Sequence, residues 1–207
     1  MSALGALALV VASCAPTSTT SGLGDELTLG DDGWYGLSVA QPMPKPDLIL
    51  TDTSGDLFDL RAQTDGRPTL LFFGYTSCPD ICPVHLSVLS RAMEETLVTT
   101  DELAVVFVSA DPERDTPQVL RAYLDSFNQG FIGLTGDIES INQAIGDLGL
   151  PQPTYSEPDD EGDYTVGHPA TIVAFDRDGT AHHLYPFGIR RAQWVHDMPM
   201  ITGGEGP

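Results

Sequence analysis

Short apolar runs alternate with amphipathic stretches along most of this chain. Thr69-Leu70-Leu71-Phe72-Phe73 and Ala104-Val105-Val106-Phe107-Val108-Ser109 are apolar almost throughout. That is the pattern of central strands covered on both faces. Between them Leu86, Leu89, Met93 and Leu97 recur at spacings of three and four. This stripe predicts a helix from about Cys82 to Leu97, with Pro83 near its first position, where a missing N–H costs little. Thr116-Pro117 opens a second helix, to about Phe127. Ile138 to Leu148 reads as a third. Pro169 to Asp176 is another strand, and Arg177-Asp178-Gly179 turns it into Ala181 to Tyr185. Residues 190 to 198 form a last helix. Upstream, Asp47 to Leu60 reads as a hairpin, two short apolar runs around Ser54-Gly55. Gln41 to Pro46 is extended, and Pro151 to Asp163 is an acidic, proline-containing loop.

Strand, helix, strand, helix, then an antiparallel hairpin and a helix is the order of an α/β, thioredoxin-like fold, here with an N-terminal β-hairpin extension. In that fold a thiol pair sits where the first central strand meets its helix. The domain spans residues 41–198, and residues 199–207 form a loose tail. Residues 15–40 read as a flexible tether, because Ala15 to Gly24 is rich in Ser, Thr and Gly.

Residues 1–14 are a targeting segment. Met1 to Ser13 is apolar but too short to span a bilayer as a permanent helix. Its end, Val11-Ala12-Ser13-Cys14, resembles a bacterial lipoprotein signal, in which the cysteine is lipidated and becomes the mature N-terminus. No Lys or Arg precedes the apolar run. The competing reading is an ordinary secretory signal with an incidental cysteine. Either way the domain works outside the cytoplasm, where dithiols need protection from oxidation.

The 207 residues carry 9 Lys+Arg against 30 Asp+Glu, a formal charge of -21. Nucleic acid is excluded as a partner, since binding phosphates along a backbone needs a basic face. Anionic lipid headgroups are repelled too, so the membrane is met through the lipid anchor only. With 41% hydrophobic residues the chain has enough apolar side chains for a core.

The chemistry concentrates in Gly74-Tyr75-Thr76-Ser77-Cys78-Pro79-Asp80-Ile81-Cys82-Pro83. Cys78 and Cys82 lie four positions apart, about one helical turn, so both sulfurs can face the same way. A helix N-terminus lowers a thiol's pKa and improves it as nucleophile and metal ligand. The pair can close a disulfide or hold one soft metal ion. A metal needs a third ligand, and five histidines are available. His85 lies one turn into the cysteine helix, placed to orient a thiolate or to face solvent. His182 and His183 are adjacent on a strand and point to opposite faces. His196, beside Met198 and Met200, reads as a solvated helix end with packed methionines. His168 ends the loop Tyr164-Thr165-Val166-Gly167-His168, just before a core strand, and is the expected partner of the thiols.

Three motifs together resemble one family. Tyr75 to Pro83 is similar to the copper-site motif of the Sco/SenC proteins, copper chaperones of cytochrome c oxidase assembly. Ser109-Ala110-Asp111-Pro112-Glu113-Arg114-Asp115-Thr116-Pro117 resembles their second motif. Tyr164 to His168, followed by a strand and Asp176-Arg177-Asp178-Gly179, resembles their histidine motif. The resemblance covers roughly residues 40 to 198. Gly167 stands where the family often has an acidic residue, and Pro169 where a small polar residue is more usual. The resemblance implies a metal site of Cys78, Cys82 and His168 for copper, Cu(I) or Cu(II). It also implies delivery to the dinuclear centre of cytochrome c oxidase subunit II, with other copper chaperones or thiol reductants as further partners. The implied role is that of a metallochaperone rather than an enzyme. The alternative is an extracytoplasmic thiol-disulfide oxidoreductase. Asp111 and Arg114 lie in a charged turn that sequence alone does not place.

Overall fold

The computed structural model describes residues 28–204, so the expected signal, Cys14 and the start of the tether lie outside the described residues. In chain order the elements are β1 (Leu37–Pro44), β2 (Ile49–Asp52), β3 (Leu57–Asp59), α1 (Leu60–Gln63), β4 (Thr69–Gly74) and α2 (Ile81–Thr96). They continue with β5 (Ala104–Ser109), α3 (Pro117–Asp125), β6 (Ile132–Thr135), α4 (Ile138–Asp147) and β7 (Thr154–Tyr155). The last are β8 (Val166–Gly167), β9 (Thr171–Phe175), β10 (Thr180–Pro186) and α5 (Arg191–Ile201).

Eight strands form one sheet in the order β1-β10-β9-β4-β5-β6-β2-β3. The strands β4, β5 and β6 run parallel, and β9 and β10 join antiparallel on the other side of β4. This is the expected α/β, thioredoxin-like arrangement. Every residue of β4 and β5 is buried, which is why their sequences read as continuous apolar runs. The period of two shows in what each side chain meets. Leu70 and Phe72 pack with Leu86 and Leu89 of α2, Leu120 of α3 and Trp194 of α5. Leu71 and Phe73 pack with Leu60 of α1 and with Ile141 and Ile145 of α4. Each such side chain contributes about 1.5–3 kcal/mol on burial, so both faces lock β4, and with it the loop that follows.

Four features depart from the expectation. β6 forms at Ile132–Thr135, a segment too short to show a period. The expected hairpin forms, with Leu50 opposite Phe58, and joins the sheet edge through Thr51 opposite Thr135. The segment expected as tether up to residue 40 is held from Trp34, which stacks on His183 with ring centroids 4.1 Å apart. Buried Asp197 accepts the backbone N–H groups of Tyr35 and Gly36, each at 2.9 Å, and the Tyr185 hydroxyl at 3.0 Å. β1 then pairs with β10. Finally, α5 runs past residue 198 to Ile201 with Pro199 in its last turn, where the proline removes one i→i−4 hydrogen bond close to the helix end. No helix among the described residues is long and apolar enough to cross a membrane.

Candidate metal centre

Cys78 lies in the turn between β4 and α2, and Cys82 is the second residue of α2. The Cys78 N–H donates to the Tyr75 carbonyl at 3.2 Å. A buried carboxylate holds this turn from behind. Asp115 accepts the Thr76 backbone N–H at 3.1 Å, the Thr76 hydroxyl, and the Ser109 hydroxyl at 2.7 Å. One side chain thereby ties the cysteine loop to the end of β5. Gly74, the last residue of β4, has Cys82 Sγ 2.5 Å from where a Cβ would sit, so the sulfur rests against bare backbone.

His168 reaches the thiols because β9 lies antiparallel beside β4, with Ile172 opposite Phe72. The chain entering β9 therefore passes over the end of β4. There the Phe73 carbonyl accepts from His168 Nδ1 at 2.9 Å. With that nitrogen as the donor, Nε2 keeps its lone pair. Nε2 lies 3.5 Å from Cys78 Sγ and 3.4 Å from Cys82 Sγ. The three potential ligand atoms all fall within 4.8 Å of one another, the one such His/Cys/Asp/Glu group of three or more among the described residues. The edges of Phe72 and Tyr75 flank the imidazole, with ring centroids at 5.9 and 5.6 Å.

The charged turn Asp111–Asp115 clamps the loop that carries His168. Arg114 pairs through Nε with buried Asp111 and donates from an Nη to the Tyr164 carbonyl at 3.0 Å. Its guanidinium also stacks on the Tyr164 ring at 3.7 Å, and the Tyr164 hydroxyl returns to Asp111 at 2.7 Å. The ribbon of β7 and β8 closes the same loop, pairing Thr154 with Gly167. A Cβ at residue 167 would sit 2.5 Å from Thr154 Oγ1, which accounts for glycine immediately before His168.

Both cysteines are free thiols, in unequal settings. The Cys78 thiol is held well below its ordinary range, first because the Cys82 side chain hydrogen-bonds to it, and further by the Cys82 and Asp80 N–H groups. Cys82 is pushed up, chiefly by burial. Cys78 is thus the ready nucleophile and Cys82 the protected partner.

The other histidines go elsewhere. His85 neither faces solvent nor reaches a thiolate. It is 3% exposed, lies between Phe72 and Phe187, and bonds the Ala170 backbone; burial lowers its pKa to about 4. His182 and His183 do not point to opposite faces. A register shift between Ala181 and His183 interrupts the ladder, a bulge that re-aims side chains, and both line one cavity with Met200. His196 bonds Asp197 at 2.8 Å, while Met198 is buried with the Thr96 hydroxyl 3.2 Å from its sulfur. Met198 is thus packed as expected, while His196 is half-buried rather than fully solvated. Asp115 escapes a reading of the sequence because it sits in a charged run that looks solvated.

Comparison with known proteins agrees with this arrangement. A family model described as SCO1/SenC matches residues 43–202. A "Putative copper-binding protein" of Stutzerimonas stutzeri is 41% identical over 163 residues, covering 77% of this chain and 78% of that protein. The structure of Bradyrhizobium japonicum ScoI with copper bound is 34% identical, covers 77% of this chain and 99% of that one, and superposes with a TM-score of 0.68. The apo Sco1 structure from Thermus thermophilus is 32% identical, covers 82% of this chain and 94% of that one, with a TM-score of 0.65. With the family model covering three quarters of the chain, both cysteines and His168 included, this chain belongs to the SCO1/SenC family.

Proposed function

We propose that Cys78, Cys82 and His168 hold one copper ion as cargo, and that the chain delivers it to the dinuclear copper centre of cytochrome c oxidase subunit II. The observation that carries this reading is the convergence of two sulfurs and one imidazole nitrogen within 4.8 Å. The donor set fits the metal. Thiolates select Cu(I), and imidazole suits copper in either oxidation state. With metal–sulfur and metal–nitrogen bonds of about 2.3 and 2.0 Å, a trigonal centre needs N···S separations of about 3.7 Å. The observed 3.4 and 3.5 Å are close to that before any ion pulls the side chains into place. Three protein ligands leave a side open for an acceptor's ligand, which transfer requires. The reading places the chain outside the cytoplasm, anchored by a lipid on Cys14.

The test is copper titration of the reduced protein. One equivalent should bind tightly, and Cys78→Ala or Cys82→Ala should abolish it. His168→Ala should weaken binding and alter the Cu(II)–thiolate absorption, while His85→Ala should do much less. Unchanged affinity in both cysteine variants would overturn the site. For the anchor, Cys14→Ser should release the protein from the membrane without changing its copper binding. Mass spectrometry showing an unmodified Cys14 would refute the anchor alone.

The unequal thiols favour a second reading, dithiol–disulfide exchange. The Cys78 thiolate would attack a target disulfide and expel one target thiol. Cys82 would then displace the other, so two electrons pass to the target and Cys78–Cys82 is left as a disulfide. That chemistry needs no imidazole ligand. An exchange rate that survives His168→Ala while copper binding falls would separate the two activities.

A further inference from the structure

Four of the chain's nine basic residues gather at the end of the sheet away from the thiols. They are Arg61, Arg67, Arg177 and Lys45, the only lysine. Lys45, Arg61 and Arg177 line one cavity of about 300 Å³, together with Thr64, Gly66 and Gly179. In a chain of formal charge -21, cations would be expected to seek carboxylates. These four do not. Lys45 Nζ donates to the Thr64 and Thr69 hydroxyls at 2.7 and 3.1 Å and to the Thr64 carbonyl at 3.3 Å. Arg61 donates to the Lys45 carbonyl at 2.7 Å. Arg67 donates to the Thr100 carbonyl, and Arg177 to the Gly66 and Thr202 carbonyls. Guanidinium–carboxylate pairs form at Arg114, Arg121 and Arg191, whereas among the described residues these four cations bond only to neutral oxygens.

Lys45 is 4% exposed. Its charge is buried without a countercharge in contact, and burial followed by the nearby Arg67 lowers its pKa to about 8. Burying a charge without an ionic partner is costly, and drawing guanidinium groups toward it adds repulsion. Two carboxylates, Asp65 and Asp178, line the same cavity, and Asp65 and Asp176 offset part of the Lys45 charge without bonding to it. What remains is a concave, cation-walled space with guanidinium edges, whose planar forks match phosphate oxygens.

We propose that the cavity lined by Lys45, Arg61 and Arg177 binds a phosphate group. The group can belong to a soluble phosphate ester or to a phospholipid headgroup. The site is remote from the thiols. Thr69, which touches Lys45, and Gly74, which touches Cys82, are at opposite ends of β4, five steps or about 17 Å apart. A headgroup held here would therefore turn the Cys78–Cys82–His168 end of the sheet away from the lipid surface.

The experiment uses the full chain carrying Cys14→Ser, so that no acyl group contributes. Inorganic phosphate and glycerol 3-phosphate are titrated while backbone amide resonances are followed. Saturable shifts should centre on Gly66 and Gly179. Arg61→Gln with Arg177→Gln should weaken binding about tenfold or more, the effect of removing charge-assisted hydrogen bonds. Those arginines also bond backbone carbonyls, so an independent variant is included. Asp65→Asn with Asp178→Asn leaves the cations in place and should tighten binding several-fold. Sedimentation with phosphatidylglycerol vesicles but not phosphatidylcholine vesicles would assign a headgroup; phosphate binding without sedimentation would assign a soluble ester. Absence of saturable shifts, shifts centred elsewhere, or affinities unchanged in both double variants would overturn the proposal.

Discussion

Gly74→Ala tests how closely the sheet holds the metal centre. The added methyl would lie 2.5 Å from Cys82 Sγ and 2.8 and 2.9 Å from two atoms of the Phe107 ring. A relaxed carbon–sulfur contact is about 3.6 Å, so roughly 1 Å must be found. Phe107 and Cys82 are both fully buried, and a close-packed interior yields little. The ring blocks movement on one side, and the sulfur is the lighter obstacle. Overpacking of this kind costs about 1–3 kcal/mol of stability. The consequence for the site is sharper. Ligand positions must hold to about 0.2 Å for a good metal centre, and a sulfur displaced by about 1 Å leaves that window. Urea unfolding of the reduced, metal-free protein should show the stability loss. Competition against a chromophoric Cu(I) chelator should show copper affinity falling about tenfold or more. A variant with wild-type unfolding midpoint and wild-type affinity would refute both the packing argument and the assignment of Cys82 as a ligand.

Three further outcomes are expected. Arg114→Gln removes the ion pair to buried Asp111 and the bond to the Tyr164 carbonyl. It should cost about 1–3 kcal/mol and alter the electron paramagnetic resonance of bound Cu(II), because the His168 loop loses its clamp, while both thiols still bind. His85 gives a pH effect with a definite sign. Burial lowers its pKa from 6.5 to about 4, so the unfolded chain binds the extra proton first, and stability falls as pH drops from about 6.5 to 4. The full effect is about 3 kcal/mol, and His85→Leu should flatten that part of a denaturation-versus-pH profile. Asp197→Asn weakens the acceptor of Tyr35 N–H, Gly36 N–H and the Tyr185 hydroxyl. It should cost about 2–4 kcal/mol and open residues 28–36 to limited proteolysis, measured by cleavage mapping.

What the sequence alone determined is local. The apolar runs of β4 and β5 announce strands buried on both faces, because each face meets its own layer of helices. The Leu86–Leu89–Met93 stripe announces α2, and Thr116-Pro117 marks the start of α3, where the Thr116 hydroxyl accepts the Val119 N–H. The cysteine pair is legible for the same reason: four positions at a strand-to-helix turn is a short-range geometry. Only the tertiary structure decided the rest. β6 has four residues and exists because β5 and β2 offer it partners. β1 finds β10 across more than a hundred residues, a pairing no window of sequence contains. His85 is buried because Phe72 of β4 and Phe187, from the turn after β10, come together over it, and the β10 bulge turns His182 and His183 into one cavity. Asp115 reads as a surface charge and becomes the buried anchor of the cysteine loop. His168 lies 86 residues from Cys82; the pattern of its neighbours pointed to it, but its Nε2 meets the sulfurs only because β9 lies against β4 and the Phe73 carbonyl fixes the ring. Local periodicity is written in the chain itself, whereas the meeting of distant side chains depends on which strands become neighbours.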